Sequence, residues 1–168
     1  MKDYFELVDR STSGRRYDVT PVFGNFQAFS ALLDDLLELG RDIEYDTVAA
    51  IDALGFILGA AIAVRSEKPL VPIRKGGKLP VEVNKANFVD YTGKEKSLEI
   101  RTDALDPSDR VLLVDEWVET ATQVKAAIGL IERQGAKVAA VLSINIDDCE
   151  VVRELRESYP ILALSQDL

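Results

Sequence analysis

Two adjacent carboxylates at the end of an apolar run are the residues of this chain best placed to do chemistry. Asp115 and Glu116 follow the strand-like run 111–114, and a short polar turn then opens an amphipathic helix. A loop at a helix N-terminus offers unpaired backbone N–H groups and the positive end of the helix dipole to an anion. Carboxylates at the strand end can accept hydrogen bonds from sugar hydroxyls. The segment therefore predicts a ribose phosphate site, and the alternative for this segment alone is a buried strand capped by solvated acids.

A second candidate cluster is basic. Arg74, Lys75 and Lys78 supply three cations within five residues, and Gly76 and Gly77 allow the backbone to approach a ligand closely. Guanidinium and ammonium groups in such a loop suit a pyrophosphate group. Taken alone, the sequence of this loop is equally well explained by a basic surface loop whose charges are solvated and bind no ligand.

Composition excludes several kinds of site. The 168 residues are 47% hydrophobic, which predicts one domain with a single core. The chain has no histidine and Cys149 is its one cysteine, which excludes an internal disulfide, a Cys/His zinc site and a Ser-His-Asp triad. The net charge of −9 opposes non-specific binding to nucleic acid. The start of the chain lacks an export signal and the apolar run 53–64 is too short to span a bilayer, so we expect a cytoplasmic protein with no membrane contact.

Short apolar runs alternate with helical patterns of about a dozen residues, which predicts an α/β fold with a mainly parallel sheet flanked by helices. A helix is expected from a cap at Asn25 to Gly40, and a second one from a turn over 52–56 to about Arg65. Two more are expected from a cap at Thr120 to about Gln134 and from a cap at Asp147 to Arg156. Strands are expected over 47–51, 69–73, 111–114, 137–146 and 161–164. Between 81 and 102 the rhythm breaks, and we expect a flexible hairpin loop with arms 87–91 and 97–100.

The segment 111–123 resembles the phosphoribosyl pyrophosphate signature of type I phosphoribosyltransferases: four apolar residues, an acidic pair, two apolar residues and a small Thr-rich loop. Three further segments follow the order used by adenine phosphoribosyltransferases. Residues 51–56 resemble the family's pyrophosphate loop, 71–80 its basic loop, and 90–105 its flexible catalytic loop. The resemblance extends from about residue 17 to residue 148.

This resemblance implies an enzyme of purine salvage. It would join a base, expected to be adenine, to the ribose 5-phosphate of phosphoribosyl pyrophosphate and release pyrophosphate. Mg2+ would be bound through the phosphoribosyl pyrophosphate, with no metal ligands from the protein. The resemblance also implies a homodimer, and a single domain over 1–168 whose segment 1–24 contributes to a hood over the base site.

The resemblance assigns catalytic roles to four residues. Asp90 matches the loop carboxylate that handles the purine proton, and Tyr91 matches the neighbouring aromatic residue that helps to close the site. Asp115 and Glu116 would hold the ribose 2′- and 3′-hydroxyls and favour positive charge at the anomeric carbon. The remaining binding residues are, for ribose and 5′-phosphate, Glu119, Thr120, Ala121, Thr122 and Gln123; for pyrophosphate, Asp52, Ala53, Leu54, Arg74, Lys75 and Lys78; and for the base, Val19, Trp117 and Ile146.

Several positions depart from the family pattern. Leu54 stands at the position of an Arg in the pyrophosphate loop, which removes a charge-assisted contact of roughly 1.5–3 kcal/mol. Residues 121–123 replace a common Gly-Gly-Thr, so a left-handed backbone there would be strained. Tyr17 occupies what resembles an Arg position, and Glu119 replaces a small residue near the purine. The family's hypoxanthine-guanine relatives, by contrast, place a Lys at the end of the equivalent late strand, and the absence of a Lys in 143–146 disfavours a 6-oxopurine.

These departures leave a second hypothesis open. A non-catalytic module with the same fold could bind a nucleotide or phosphoribosyl pyrophosphate as a sensor. Retention of Asp90, Lys75, Lys78 and the acidic pair favours the enzyme, whereas Leu54 and the altered phosphate loop favour the sensor.

Overall fold

Alternation of buried strands with amphipathic helices produces a sheet covered on both faces. A computed structural model of the chain describes residues 2–14, 16–90 and 93–168. Its helices are a 3-10 helix over Asp3–Leu7, α1 (Thr20–Phe23), α2 (Phe26–Leu39), α3 (Leu54–Arg65), α4 (Thr122–Arg133) and α5 (Glu150–Arg156). Its strands are β1 (Thr47–Ile51), β2 (Leu70–Lys75), β3 (Val83–Val89), β4 (Glu95–Arg101), β5 (Arg110–Val114), β6 (Trp117–Val118), β7 (Lys137–Ile146) and β8 (Ile161–Gln166).

The predicted α/β fold with a mainly parallel sheet is confirmed. Strand order in the described chain is β3-β4-β2-β1-β5-β7-β6, and β8 also pairs with β7. Strands β2, β1, β5 and β7 are parallel neighbours, whereas β4 pairs antiparallel with both β2 and β3. The carboxyl ends of the parallel strands meet at one edge, where open α/β sheets bind their ligands.

Successive residues of the central strands serve opposite faces of the sheet. In β5, Val111 and Leu113 pack into a core with α4, while Leu112 and Val114 pack into a second core with α2 and α3. All four are essentially inaccessible to solvent. A strand buried on both faces reads as a continuous apolar run, which is why β5 was recognisable in the sequence.

The predicted cap at Asn25 is present, since the Asn25 side chain accepts a hydrogen bond of 3.0 Å from the backbone N–H of Ala28. The predicted cap at Thr120 is wrong: α4 begins at Thr122, and Ala121 occupies the cap position in a left-handed conformation. The predicted cap at Asp147 is also wrong, because α5 begins at Glu150 after an extended Cys149. An Asp147 carboxylate oxygen instead accepts a hydrogen bond of 2.8 Å from Asn145.

The predicted hairpin is present, with longer arms than expected. Strands β3 and β4 pair over seven residue pairs, from Val83 with Arg101 to Val89 with Glu95. Strand β2 continues past the expected end at residue 73, because Arg74 and Lys75 pair antiparallel with Glu99 and Leu98. The predicted mobility of 81–102 stays a prediction.

None of the helices in the described ranges combines the length and apolar character that a bilayer crossing requires.

Two helical glycines make a matched test of packing between α3 and β1. A Cβ added at Gly59 would lie 2.5 Å from the Cβ of Ala50, whereas a Cβ added at Gly129 of α4 meets nothing within 4 Å. Overpacking should lower the free energy of unfolding of Gly59→Ala by about 1–3 kcal/mol. Gly129→Ala should raise it by about 0.5–1 kcal/mol, because alanine is the better helix former. Urea denaturation measures both, and equal changes would contradict the described packing.

Candidate active site

A cleft of about 610 Å³ opens beside the carboxyl end of β5. It brings together the predicted phosphate loop, one of the predicted basic residues and the predicted loop carboxylate, which are far apart in sequence. Its lining residues are Arg16, Lys75, Gly76, Phe88, Asp90, Glu95, Lys96, Ser97, Asp115 and the continuous segment 117–124.

Asp115 is the buried acid of this cleft, with 3% of its surface exposed. Its Oδ1 accepts the backbone N–H of Glu116 at 2.9 Å, and its Oδ2 accepts a hydrogen bond from Nε2 of Gln123 at 3.3 Å. Burial raises the pKa of Asp115 to about 7, against the opposing effects of Arg16, Gln123 and Lys75. The carboxylate is therefore held in place while its charge is only partly compensated.

Close approach of α3 contributes to this burial. A Cβ at Gly55, in the first turn of α3, would lie 3.2 Å from both Cα and Oδ1 of Asp115. Glycine at this position lets the helix start lie against the acid, which excludes water from that side. The Asp52–Ala53 peptide immediately before α3 is cis.

Glu116 is not among the residues that line the cleft, and it is 2% exposed. Its carboxylate forms an ion pair with the guanidinium of Arg16, and Arg16 itself lines the cleft. The two adjacent acids thus have different surroundings, as expected for neighbours at the end of a strand, where side chains alternate. Arg16 was not among the residues that the sequence pointed to, because nothing local relates it to Glu116.

The phosphate loop joins β6 to α4. Ala121 has φ 57° and ψ 1°, which is the left-handed region that glycine occupies without a steric penalty. The strain expected for a non-glycine loop is therefore present at Ala121. The hydroxyls of Thr120 and Thr122 lie 3.1 Å apart, and the first N–H groups of α4 lack partners within the helix. The loop combines these donors with the positive end of the helix dipole, which suits an anion.

The basic loop after β2 is held in place by a residue that we did not predict. The carboxylate of Glu99 on β4 accepts the backbone N–H groups of Gly77, Lys78 and Leu79 at 2.7, 2.6 and 2.5 Å. Burial opposes ionisation of Glu99, but the three backbone donors and Lys85 outweigh that effect and lower the pKa. A glutamate between the apolar residues of β4 was the available signal, since Glu99 is only 3% exposed.

Not all of the predicted pyrophosphate-binding residues reach the cleft. Lys75 lines it, whereas Asp52, Ala53, Leu54, Arg74 and Lys78 do not. Asp52 lies beside the basic residues, with carboxylate oxygens 3.8 Å from Arg74 Nε and 4.0 Å from Lys75 Nζ. Nη1 of Arg74 donates to the carbonyl oxygen of Lys78 at 3.0 Å, which folds the loop back on itself.

Asp90, next to the tip of the hairpin, also lines the cleft. An Asp90 carboxylate oxygen accepts the backbone N–H of Lys94 at 3.1 Å and another lies 4.0 Å from Nζ of Lys96. Tyr91, the predicted aromatic partner of Asp90, lies outside the described residues.

The segment before α1 covers Trp117. The Tyr17 ring packs edge-on against Trp117 with centroids 5.8 Å apart, and the guanidinium of Arg10 lies 5.7 Å from the Tyr17 centroid. Of the three predicted base-binding residues, Trp117 lines the cleft, while Val19 and Ile146 are buried in the two cores.

Several known proteins of similar sequence are adenine phosphoribosyltransferases. The chain is 44% identical over 140 residues to the adenine phosphoribosyltransferase of Dinoroseobacter shibae, covering 82% of this chain and 78% of the relative. It is 36% identical over 152 residues to that of Halothermothrix orenii, covering 89% of this chain and 88% of the relative. A scan of protein-family models found no match.

Solved structures give the same result for the fold. The adenine phosphoribosyltransferase of Thermoanaerobacter pseudethanolicus superposes with a TM-score of 0.89 at 28% identity, covering 97% of each chain. The enzyme of Giardia lamblia, solved in complex with 9-deazaadenine, superposes with a TM-score of 0.83 at 26% identity, covering 98% of this chain and 96% of that one.

The three bonds to Glu99 make a prediction about the basic loop. In Glu99→Gln the loss of a charged acceptor should speed hydrogen exchange at Gly77, Lys78 and Leu79 by about tenfold or more at neutral pH. Because the pKa of Glu99 is lower in the folded protein than in the unfolded chain, its stabilising effect is present above about pH 4.3 and is lost as pH falls through the folded-state pKa.

Glu82→Gln, an exposed position on the same hairpin, is the matched control and should leave exchange in the basic loop unchanged. Wild-type exchange rates in Glu99→Gln would show that the carboxylate does not hold the loop.

Proposed function

The chain belongs to the adenine phosphoribosyltransferase family, and on this basis we propose that it transfers ribose 5-phosphate from phosphoribosyl pyrophosphate to adenine. The products are AMP and pyrophosphate, and the reaction is a step of purine salvage. The observation that supports this best is the convergence of Asp115, the phosphate loop, Lys75 and Asp90 on one cleft.

The phosphate loop and Asp115 bind the ribose 5-phosphate. The N–H groups at the start of α4 and the hydroxyls of Thr120 and Thr122 donate hydrogen bonds to the 5′-phosphate. Asp115 accepts hydrogen bonds from ribose hydroxyls and stabilises positive charge that develops at the anomeric carbon. Glu116 adds to the stabilisation of this positive charge from its ion pair with Arg16, or it contacts the ribose directly if a substrate displaces the guanidinium.

Transfer breaks the bond from the anomeric carbon to the pyrophosphate oxygen and forms the bond from that carbon to a purine nitrogen. The purine nitrogen loses its proton, and Asp90 on the hairpin is the proposed acceptor. Closure of the hairpin, with Tyr91, would exclude water, so that ribose is transferred to the base rather than hydrolysed.

Lys75 binds the leaving pyrophosphate, with Arg74, Lys78 and the 52–54 segment as further proposed contacts. Mg2+ bound through phosphoribosyl pyrophosphate would offset the charge of the leaving group, and such an ion prefers phosphate oxygens and water as ligands.

Trp117 and the hood segment 1–24 form the proposed base site. The Tyr17 and Trp117 rings, packed edge-on, offer an apolar wall, and Glu119, which lines the cleft, offers an acceptor for the exocyclic amine of adenine. Val19, in the same core as Trp117, and Ile146, in the other core, are further proposed base-site residues. A homodimer in the cytoplasm completes the proposal, supported by the family resemblance and by a charged sugar phosphate substrate that does not cross membranes.

Removal of the acidic pair tests the proposal. In Asp115→Asn with Glu116→Gln, turnover of phosphoribosyl pyrophosphate and adenine to AMP should fall by about 10²–10³-fold or more, since charge stabilisation in the transition state is lost. Pyrophosphate release with Mg2+ and each purine in turn measures this.

Asp42→Asn, at a side chain that is 90% exposed, is the control and should retain activity. An acid-pair variant that keeps its fold and its turnover would rule out these roles. Wild-type protein without turnover on any purine would rule out the enzyme.

Leu54 gives a prediction of gained affinity. Leu54→Arg restores the cation of the family pattern and should tighten pyrophosphate binding by about tenfold, as expected for one charge-assisted contact. Isothermal titration calorimetry with Mg2+ and pyrophosphate measures the change. Ile57→Arg adds the same charge at an exposed position of α3 and should have little effect. Equal gains in both variants would show a general charge effect.

A further inference from the structure

Both oxygens of the Asp115 carboxylate are held within the site, by donors from two different directions. Oδ1 accepts the N–H of Glu116 from the strand end, and Oδ2 accepts Nε2 of Gln123 from the second residue of α4. Gln123 therefore spans the space between the predicted phosphate loop and Asp115, the carboxylate predicted to bind the sugar.

We propose that Gln123 is a positioning residue, whose side chain ties Asp115 to the phosphate loop and fixes the carboxylate in the orientation that meets the ribose hydroxyls. This inference rests on the proposed function and deepens it, since Gln123 was assigned to phosphate binding through its backbone alone. Binding of a 5′-phosphate and orientation of the Asp115 carboxylate are thereby coupled through one side chain.

The other polar groups facing Asp115 are engaged elsewhere. Arg16 pairs with the carboxylate of Glu116, and Lys75 lies 4.0 Å from Asp52. Both cations act on Asp115 through their charge, whereas Gln123 makes the side-chain hydrogen bond. The loop pattern has Thr at this position, and a threonine hydroxyl lies two bonds nearer the backbone, so it could not span the same gap.

The electrostatics give the proposal a measurable consequence. Burial raises the pKa of Asp115 to about 7, and the Gln123 hydrogen bond is one of the effects that oppose this rise. Loss of the Gln123 donor should therefore raise the pKa further and reduce the ionised fraction of Asp115 at neutral pH.

The test uses Gln123→Met, which keeps the length of the side chain but cannot donate. Carbon-13 NMR of aspartate carboxyl groups, with the Asp115 resonance assigned by Asp115→Asn, should show the titration midpoint of Asp115 rising by about 0.5–1 pH unit. The acid limb of kcat/KM for phosphoribosyl pyrophosphate should move upward by the same amount, with a larger loss of activity at pH 6.5 than at pH 8.5.

Two further variants keep the result interpretable. Gln27→Met, at an exposed position of α2, should change neither the midpoint nor the pH profile. Gln123→Glu is isosteric and replaces the donor with a second carboxylate, so it should raise the Asp115 midpoint more than Gln123→Met does.

An unchanged Asp115 midpoint in folded Gln123→Met and Gln123→Glu overturns the proposal, as does a loss of activity that is uniform across pH. The NMR titration needs no turnover. A protein inactive on every purine would therefore refute the proposed function while the titration still decides the role of Gln123.

Discussion

Burial of one carboxylate at the end of a central strand is the constraint on which this site depends. Asp115 follows β5, whose neighbours β1 and β7 cover both edges, so the acid emerges where water is already excluded. Gly55 lets α3 lie against it, Gln123 bonds it from α4, and Arg16 and Lys75 supply positive charge. The hydrogen bond from Gln123 and the two positive charges reduce the free energy that an isolated buried charge would require, whereas the close approach of α3 adds to the burial.

The residues around the cleft come from two parts of the sheet, its parallel strands and its antiparallel extension. The residues proposed to bind the sugar and phosphate follow β5 and begin α4, two elements that pack together in one core. The basic loop and hairpin join the sheet through two residue pairs of β2 with β4, and Glu99 fastens the loop to that junction. The basic loop and the hairpin, to which the proposal assigns pyrophosphate binding and closure, thus lie at the antiparallel extension of the sheet.

The fold was predictable where one local pattern decided the outcome. The bounds of β1 and β7 match the prediction, because an apolar run between turn residues leaves little choice of where the strand begins and ends. The cap at Thr120 was wrong because the phosphate loop holds Ala121 in a left-handed conformation that propensities do not anticipate. Glu99 and Arg16 could not be predicted, since their partners lie on other elements and only the tertiary fold brings them together.

The pairing of Arg16 with Glu116 has a consequence for assembly of the site. The two residues are about one hundred positions apart, so the contact closes a very long loop and adds to the non-local character of the fold. A chain whose first residues have not yet docked leaves Glu116 without this guanidinium. Formation of the Arg16–Glu116 pair therefore requires two segments that are distant in sequence to meet, which is the kind of contact that forms slowly during folding.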